Sequence, residues 1–394
     1  MGKAPALVMF DAPPRASRSG WAPFVGVRPL SELRAGVWRI RERWEAGLDL
    51  ETAAVLSDHA PGFVEGDEPP SGTQLPASGP VLLARSTFAP LGTPVTLAPG
   101  TRRLTNAGET VAWLVDSPAA WSGPTDEGDA QEIDGFALRG TYDLVAALDR
   151  FLVTDCLAFG AGQSDPVPPA SIVLGDPGLI FSRGATIEPG VVFDTRGGAI
   201  VIEAGAEVRN GARLEGPLYI GERARVLGGQ VRFTVVGPRC NVRGEISNCS
   251  FLGYANKSHD GFVGHSVVGC WVNLGAGTTT SNLKNTYGQI SLEVAGERIS
   301  TGRQFLGSLI GDHAKTAIGT LLATGTVIGA GANVFGPAAT PRYVPPMAWG
   351  SDGADRVTEE GFLKVAERVL PRRDIAFTPE RRESLRATHR RLTG

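Results

Sequence analysis

The chain has 394 residues, a formal net charge of −3, 52 glycines, 42% hydrophobic and 20% charged residues. That length exceeds one ordinary core and predicts two or three domains. The charge balance gives no basis for general nucleic-acid binding, the composition excludes a disordered chain, and no run of about 18 apolar residues predicts a membrane span.

The opening segment MGKAPALVMFDAPPR lacks a long apolar stretch, so no signal peptide is expected and the cytoplasm is the expected location. Residues 6–11 (ALVMFD) predict a buried strand ending in an acid. Residues 12–29 predict a loop rich in Pro, Arg and Ser. Ser31 is expected to cap a helix with Leu33, Val37, Ile40 and Trp44 on one face. Val81–Arg85 predicts a second strand, and Thr141 to about Thr154 another helix. Residues 1–160 therefore predict a small, irregular α/β domain, and 161–170 a linker. Cys156, Cys240, Cys249 and Cys270 form no CxxC pair and are expected to be reduced and buried.

The rhythm changes near residue 171. Phe181, Ile187 and Phe193, then, after a slip of three residues, Ile202, Val208, Leu214, Ile220 and Val226 recur every sixth position. Small residues such as Ala185, Ala206, Ala212 and Ala224 follow most of them by four. A period of six predicts a parallel β-helix built of hexapeptides, each supplying one short strand and one turn. The pattern returns in Val263-Gly264, Val268-Gly269, Leu274-Gly275, Ile328-Gly329 and Val334. Residues 283–305 interrupt it and predict a hairpin or loop leaving the prism. The predicted architecture is mainly β: a β-helix over 171–347 behind the small α/β domain, with a helical tail over 351–394. In that tail, helices are expected after Thr358 and from Thr378-Pro379. Residues 362–394 carry nine Arg or Lys against four Asp or Glu, which reads as a solvated helix face or as a site for anionic phosphates.

The chemistry concentrates between residues 245 and 282. Asn273-Leu-Gly-Ala-Gly-Thr278 can lie flat against a ligand and donate backbone N–H groups, or can merely turn a corner. His259, on a neighbouring coil, carries an imidazole that can accept a proton from an amine or hydroxyl nucleophile, or is simply a solvated or satisfied histidine. Arg243, Lys257, Lys284 and Arg303 are close enough in sequence to hold a phosphate there, or to be surface charges. His259, His265 and His313 raise the question of a metal, but a six-residue step turns His265 away from His259, and no metal site is expected.

These residues carry a family resemblance. Glu245-Ile-Ser-Asn248, Lys257, His259 and Val272-Asn-Leu-Gly-Ala-Gly-Thr-Thr-Thr-Ser-Asn282 resemble the acetyltransferase domain of bifunctional UDP-N-acetylglucosamine pyrophosphorylase/glucosamine-1-phosphate N-acetyltransferase. With Phe10-Asp11, the stretch from Arg28-Pro29 through Glu42 and Trp44, Asn256–Phe262 and Gly264-His265-Ser266, nearly the whole chain is similar to the compact GlmU-like sugar nucleotidyltransferase family. The resemblance implies a left-handed β-helix and a homotrimer with acetyl-CoA sites between adjacent prisms. It implies His259 as catalytic base. It implies Asn273 and Asn282 as contacts to a sugar phosphate or nucleotide sugar, beside which Lys257, Arg243 and Lys284 are expected from their place in the sequence, and Ala276, Gly277 and Ser308 are expected as acyl-CoA contacts. Ser247 stands where the full-length enzymes have a phosphate-binding Lys, and Phe262 where they have Tyr.

The N-terminal region has no G-x-G-T-R-M loop. A remodelled nucleotidyltransferase, with Asp11, Arg15 and Arg28 as nucleotide contacts and Mg²⁺ as its cofactor, and a structural cap on the β-helix are both open readings. The first expected function is acetyl transfer from acetyl-CoA; the alternatives are sugar-1-phosphate nucleotidyl transfer and a non-catalytic binding protein. No membrane or nucleic-acid partner is expected.

Overall fold

The computed structural model describes residues 4–75, 78–160, 162, 164–336 and 339–394; of the expected linker, residues 161 and 163 lie outside this set. The N-terminal domain is built on a seven-stranded sheet. Its strands are β1 (Ala6–Asp11), β2 (Thr52–Ser57), β3 (Ser71–Gly72), β4 (Val81–Arg85), β5 (Arg103–Asn106), β6 (Glu109–Val115) and β7 (Ala130–Glu132), in spatial order β7-β5-β6-β4-β1-β2-β3. The apolar run of β1 suits its central place, parallel to β2 on one side and β4 on the other. Its carboxyl end sets Asp11 against Ser57, with Arg85 beside Phe10.

The helix expected from Ser31 is displaced. Leu30–Glu32 forms one 3₁₀ turn, Arg34–Ala35 pairs antiparallel with Trp38–Arg39, and helix α1 spans Ile40–Leu48. The cause is Gly36, which turns at φ +74°, where a Cβ would meet the Asp155 carboxylate and the Arg43 guanidinium. Leu33, Val37, Ile40 and Trp44 are all buried, but from two elements rather than one helix face. Helix α2 (Asp143–Gly160) runs past the expected end at Thr154.

Residues 172–349 form the parallel β-helix. Ile200 pairs with Leu218 and Ile310 with Ile328, eighteen residues apart, so three hexapeptides close one coil. The offset widens to forty-two at Val268 and Ile310, because the chain leaves the prism there. Three faces result. The first holds Val192–Asp194, Phe262–Gly264 and Thr279–Thr280; the second holds Ile200–Ile202, Val267–Val268 and Leu309–Ile310; the third holds Glu207–Val208, Asn256–Lys257 and Lys315–Thr316. Phe193, Ile202, Val208, Leu214, Ile220 and Val226 line one continuous interior, as their six-residue spacing predicts.

Phe181 departs from that spacing. Ile180 and Ser182 are the buried residues of its strand, and Phe181 turns outward under α2, where its ring fills the space beside Gly160. Strand alternation allows only one of the two sets inside. After the second face, glycines such as Gly237 and Gly329 let coils stack: a Cβ would lie 2.3 Å from the Leu252 carbonyl oxygen and from Pro346 N, respectively. The insertion is an antiparallel hairpin, Ile290–Val294 with Glu297–Arg303. All four cysteines are free and buried. No helix is long and apolar enough to cross a membrane among the described residues.

The domains share a core. Leu148, Leu152 and Cys156 of α2 pack on Ala199, Val201, Tyr219 and Val235 of the second face. The tail helices α3 (Glu359–Val369) and α4 (Pro379–Thr393), capped by Thr358 and Thr378, fold back over both domains. Val64 N–H donates to Ser384 Oγ at 3.0 Å, and Arg381 Nη2 to the Glu65 carbonyl at 2.6 Å. At the seam, Arg28 is 2% exposed, with Nε 2.7 Å from Asp312 Oδ2 and Nη2 2.9 Å from Glu65 Oε1. Burial pushes the Asp312 carboxyl up from its ordinary range, and the Arg28 guanidinium beside it opposes that rise. Arg28 thus joins the domains and offers no free guanidinium to a nucleotide. Arg28→Met leaves two carboxylates without their cation in a dry seam. It is expected to lower unfolding free energy by about 3–5 kcal/mol, measured by urea denaturation; an unchanged midpoint removes Arg28 as the tie.

Candidate functional site

The corner joining the third face to the first carries the candidate chemistry. His259 is exposed there, between Asn256–Lys257 on one face and Phe262–Gly264 on the next. The coil before brings Arg243, whose Nε lies 3.0 Å from Asp260 Oδ1. The coil after brings Gly275–Thr278: Gly277 N–H donates to the Asp260 carbonyl at 3.1 Å. His259 therefore stands one coil away from the Asn273–Thr278 corner.

Lys257 is not on that surface. Its side chain is buried, and Nζ donates to the carbonyl oxygens of Arg243 (3.3 Å) and His259. Burial pulls its ammonium down to about 8. Lys257 props up the backbone under His259 rather than contacting a ligand. Asn273 lies on the third face in a polar column: Asn256 Nδ2 donates to Asn273 Oδ1 at 2.9 Å, and Asn241 Nδ2 to Asn256 Oδ1 at 3.3 Å. The expected row of oxyanion donors is shorter than the glycines imply. Gly275 N–H is taken by Thr316 Oγ1 at 3.0 Å and Gly277 N–H by Asp260, so Ala276 N–H is the uncommitted donor of the three among the described residues.

The opposite corner, from the first face to the second, holds a different set. Asn282 Nδ2 lies 2.8 Å from His265 Nδ1, and the imidazole stacks on Phe305 at 5.2 Å. The amide is a donor, so Nδ1 is the acceptor. Burial, with Arg232 nearby, holds this imidazole down at about 4, so it is neutral at pH 7. Phe262 spans the face between the corners: a Cβ on Gly264 would lie 2.3 Å from its ring and 2.8 Å from Asn282 Nδ2. His259 and His265 are thus on different corners, as the six-residue step predicts.

Three expected contacts leave this surface. Ser308 is fully buried at the second face; its N–H donates to Ser266 Oγ at 2.9 Å, and its own hydroxyl has no partner. Lys284 Nζ closes the insertion on the Gln289 carbonyl. Arg303 Nη2 is 2.6 Å from Asp143 Oδ1 and pins the hairpin to α2. The insertion diverts the last two, because its apolar strands bury Ile290, Leu292 and Val294 in the core shared with the N-terminal domain.

In the N-terminal domain, Arg15 is exposed on the 3₁₀ turn Arg15–Trp21. Asp11 is fully buried: Oδ1 accepts from Leu30 N–H at 3.1 Å, and Oδ2 lies 3.1 Å from His59 Nε2. Gly26 N–H donates to His59 Nδ1, which puts the ring proton on Nε2, facing Asp11. Mg²⁺ at a phosphate-transfer site takes one or two open carboxylates plus substrate oxygens. Asp11 is 0% exposed, its Oδ2 makes no hydrogen bond and faces His59 rather than the surface, and no group of three His, Cys, Asp or Glu side chains gathers among the described residues. The residues present do not fit the ion. A cavity of about 310 Å³ does open at the carboxyl end of β4, lined by Arg85, Thr87, Thr110 and Arg139.

Sequence reasoning missed Asp260, Arg232 and the His265–Asn282 pair. The signal was the coil offset: 243 to 260 and 265 to 282 are each seventeen residues, one short coil, as are the bridged residues Asn256 and Asn273. Lys257 gives a pH test. Its proton leaves near pH 8 in the folded chain and near the ordinary 10.5 in the unfolded chain. Between those values the unfolded state binds more protons, so stability rises with pH through Lys257. The rise is expected to be about 2 kcal/mol smaller in Lys257→Met, by denaturation at pH 7.5 and 10; parallel profiles remove the buried ammonium.

Residues 7–163 match the family described as sugar nucleotidyl transferase. Over 86 residues, 22% of this chain and 21% of the relative, the chain is 41% identical to a bifunctional sugar-1-phosphate nucleotidylyltransferase/acetyltransferase of Sulfurisphaera tokodaii. Over 96 residues, 24% of this chain and 22% of the relative, it is 31% identical to the bifunctional protein GlmU of Methanococcus vannielii. The chain thus spans about a fifth of the length of these curated relatives, less than the near full-length resemblance implied. Residues 7–163 are thus similar to the sugar nucleotidyl transferase family.

Proposed function

We propose that the corner around His259 transfers an acetyl group from acetyl-CoA to an amino or hydroxyl group of a sugar phosphate or nucleotide sugar. The observation that carries this reading is an exposed imidazole one coil from a corner with a single uncommitted N–H, at Ala276. The acceptor amine attacks the thioester carbonyl, and His259 takes the proton that the amine loses. Ala276 N–H donates to the oxyanion of the tetrahedral intermediate. Collapse breaks the C–S bond, and the imidazolium returns its proton to the departing thiolate. Arg232, exposed on the first face and without an acidic partner among the described residues, and Arg243 would hold the acceptor's phosphate in place of the lysine absent at Ser247. The two curated relatives support the reading, since one is named as an acetyltransferase as well as a nucleotidylyltransferase.

A homotrimer completes the groove in this reading. Ile318 (80% exposed), Leu321 (53%), Phe335 (42%) and Trp349 (52%) form exposed apolar surface on the last coils, which suits a self-interface. Light scattering is expected to give three times the chain's 41.3 kDa; a fully active monomer would sink the shared groove.

The second reading is sugar-1-phosphate nucleotidyl transfer by the N-terminal domain. The family match over residues 7–163 and the cavity at Arg85 and Arg139 favour it. Two assays separate the readings: thiol release from acetyl-CoA, and pyrophosphate release from a nucleoside triphosphate with a sugar phosphate. His259→Ala is expected to lower thiol release about 10²-fold or more with an unchanged unfolding midpoint. Wild-type turnover in that variant would remove the base, and pyrophosphate release untouched by it would assign the second activity to the N-terminal domain.

A further inference from the structure

We infer that a second anion site lies where the tail crosses the early coils, and that it takes a di- or triphosphate group. The tail's basic excess sorts into two classes. Arg386 and Arg390 pair with Glu359, and Arg382 with Glu367; Arg381 and Arg391 bind backbone carbonyls of the N-terminal domain. Arg372 and Arg373 instead line a cavity of about 320 Å³ with Arg223, Arg225 and Arg239.

The coil repeat explains how the arginines gather. The corner from the second face to the third has a left-handed residue in each coil, and this position is Arg223 (φ +54°), Arg239 (φ +55°), Tyr254, Trp271 and His313 in turn. Equal positions on stacked coils sit about 4.8 Å apart. Further along, the column becomes aromatic: Tyr254 stacks on Trp271 at 4.2 Å, and Phe362 of the tail packs edge-on against His313. At its start it is cationic and open. The tail turn is tied there by Arg239 Nη1, which donates to the Arg373 carbonyl at 2.6 Å and lies 3.2 Å from Asp374 Oδ2.

The charge is not balanced locally. Asp374 is the only carboxylate lining the cavity; Glu207 meets Arg225 at 3.1 Å and Glu222 meets Arg223 at 3.5 Å from outside it. Arg372 has no side-chain partner among the described residues, and the Nε of Arg373 is buried and unpaired. Burial, aggravated by the neighbouring Arg372 and Arg225 cations, lowers the Arg373 guanidinium from its ordinary value. Arg372 and Arg373, which have no carboxylate partner among the described residues, with the remaining donors of Arg223, Arg225 and Arg239, match the several oxygens of linked phosphates, where a single phosphate would meet only one or two. Linked phosphates occur in free pyrophosphate, in nucleoside triphosphates and in coenzyme A.

The test is calorimetric titration of the full chain with pyrophosphate, ATP and coenzyme A as separate probes. The variant is Arg225→Gln/Arg372→Gln, two exposed side chains whose loss leaves the ties of Arg239 and Arg373 intact. At least one probe is expected to bind wild type and to weaken tenfold or more in the variant, with affinity falling steeply as KCl rises. The probe that weakens names the source. Binding equal in wild type and variant for every probe, or no binding at all, overturns the site. His259→Ala must bind these probes at the cavity as wild type does, so the result is independent of turnover at the other corner.

Discussion

Stacking of one coil on the next is the constraint from which the rest follows. Many backbone rungs pair with the rung eighteen residues away, fewer where a corner is shortened and more in the first coils and across the insertion. Every residue type placed at one coil position therefore becomes a column about 4.8 Å in repeat. Apolar columns make the interior. Asparagines make the polar column at Asn241, Asn256 and Asn273. The left-handed corner makes a column that is basic at one end and aromatic at the other. The candidate catalytic corner is the same device: His259, Arg243 and Ala276 are distant in sequence and adjacent by coil count.

The second organising feature is the dry seam around Arg28. A β-helix buries its own core and needs no second domain for it. Here α2 and the hairpin are apolar on the sides that meet the β-helix, and the tail folds back over both domains. A buried ion network inside such a seam adds little net stability but penalises any arrangement that separates its members. Asp312 and Arg28 are 284 positions apart, so their 2.7 Å contact exists only in the assembled molecule. The same assembly withdraws Asp11, Arg28, Arg303 and Ser308 from the open surface. Residues whose types suit ligand chemistry are spent on structure.

Burial also divides the basic residues near His259. Lys257 is inside, held low by desolvation, and braces the corner; Arg243, paired with Asp260, and Arg232 are outside. The glycine-rich corner shows the same economy. Two of its three N–H groups hold neighbouring coils together, which leaves that of Ala276 uncommitted among the described residues. Flatness comes from the missing side chains, and donor capacity from whichever amide the stacking does not use.

Period-six spacing by itself determined the β-helix, the direction of Ile202, Val208, Leu214 and Ile220 into its interior, the hairpin insertion and the separation of His259 from His265. Helix caps at Thr358 and Thr378 were equally legible, because capping is a local hydrogen bond. The displaced helix near Ser31 was not, because apolar spacing cannot reveal that Gly36 must turn to admit Asp155 and Arg43. Phe181 was misplaced for a related reason: a large apolar residue satisfies either the interior or a helix packed outside, and only α2 decides between them. The chemistry of individual side chains belonged wholly to the tertiary structure. Exposure, desolvation and partnering depend on what lies one coil away or across a domain seam, and no window of the chain contains that neighbour.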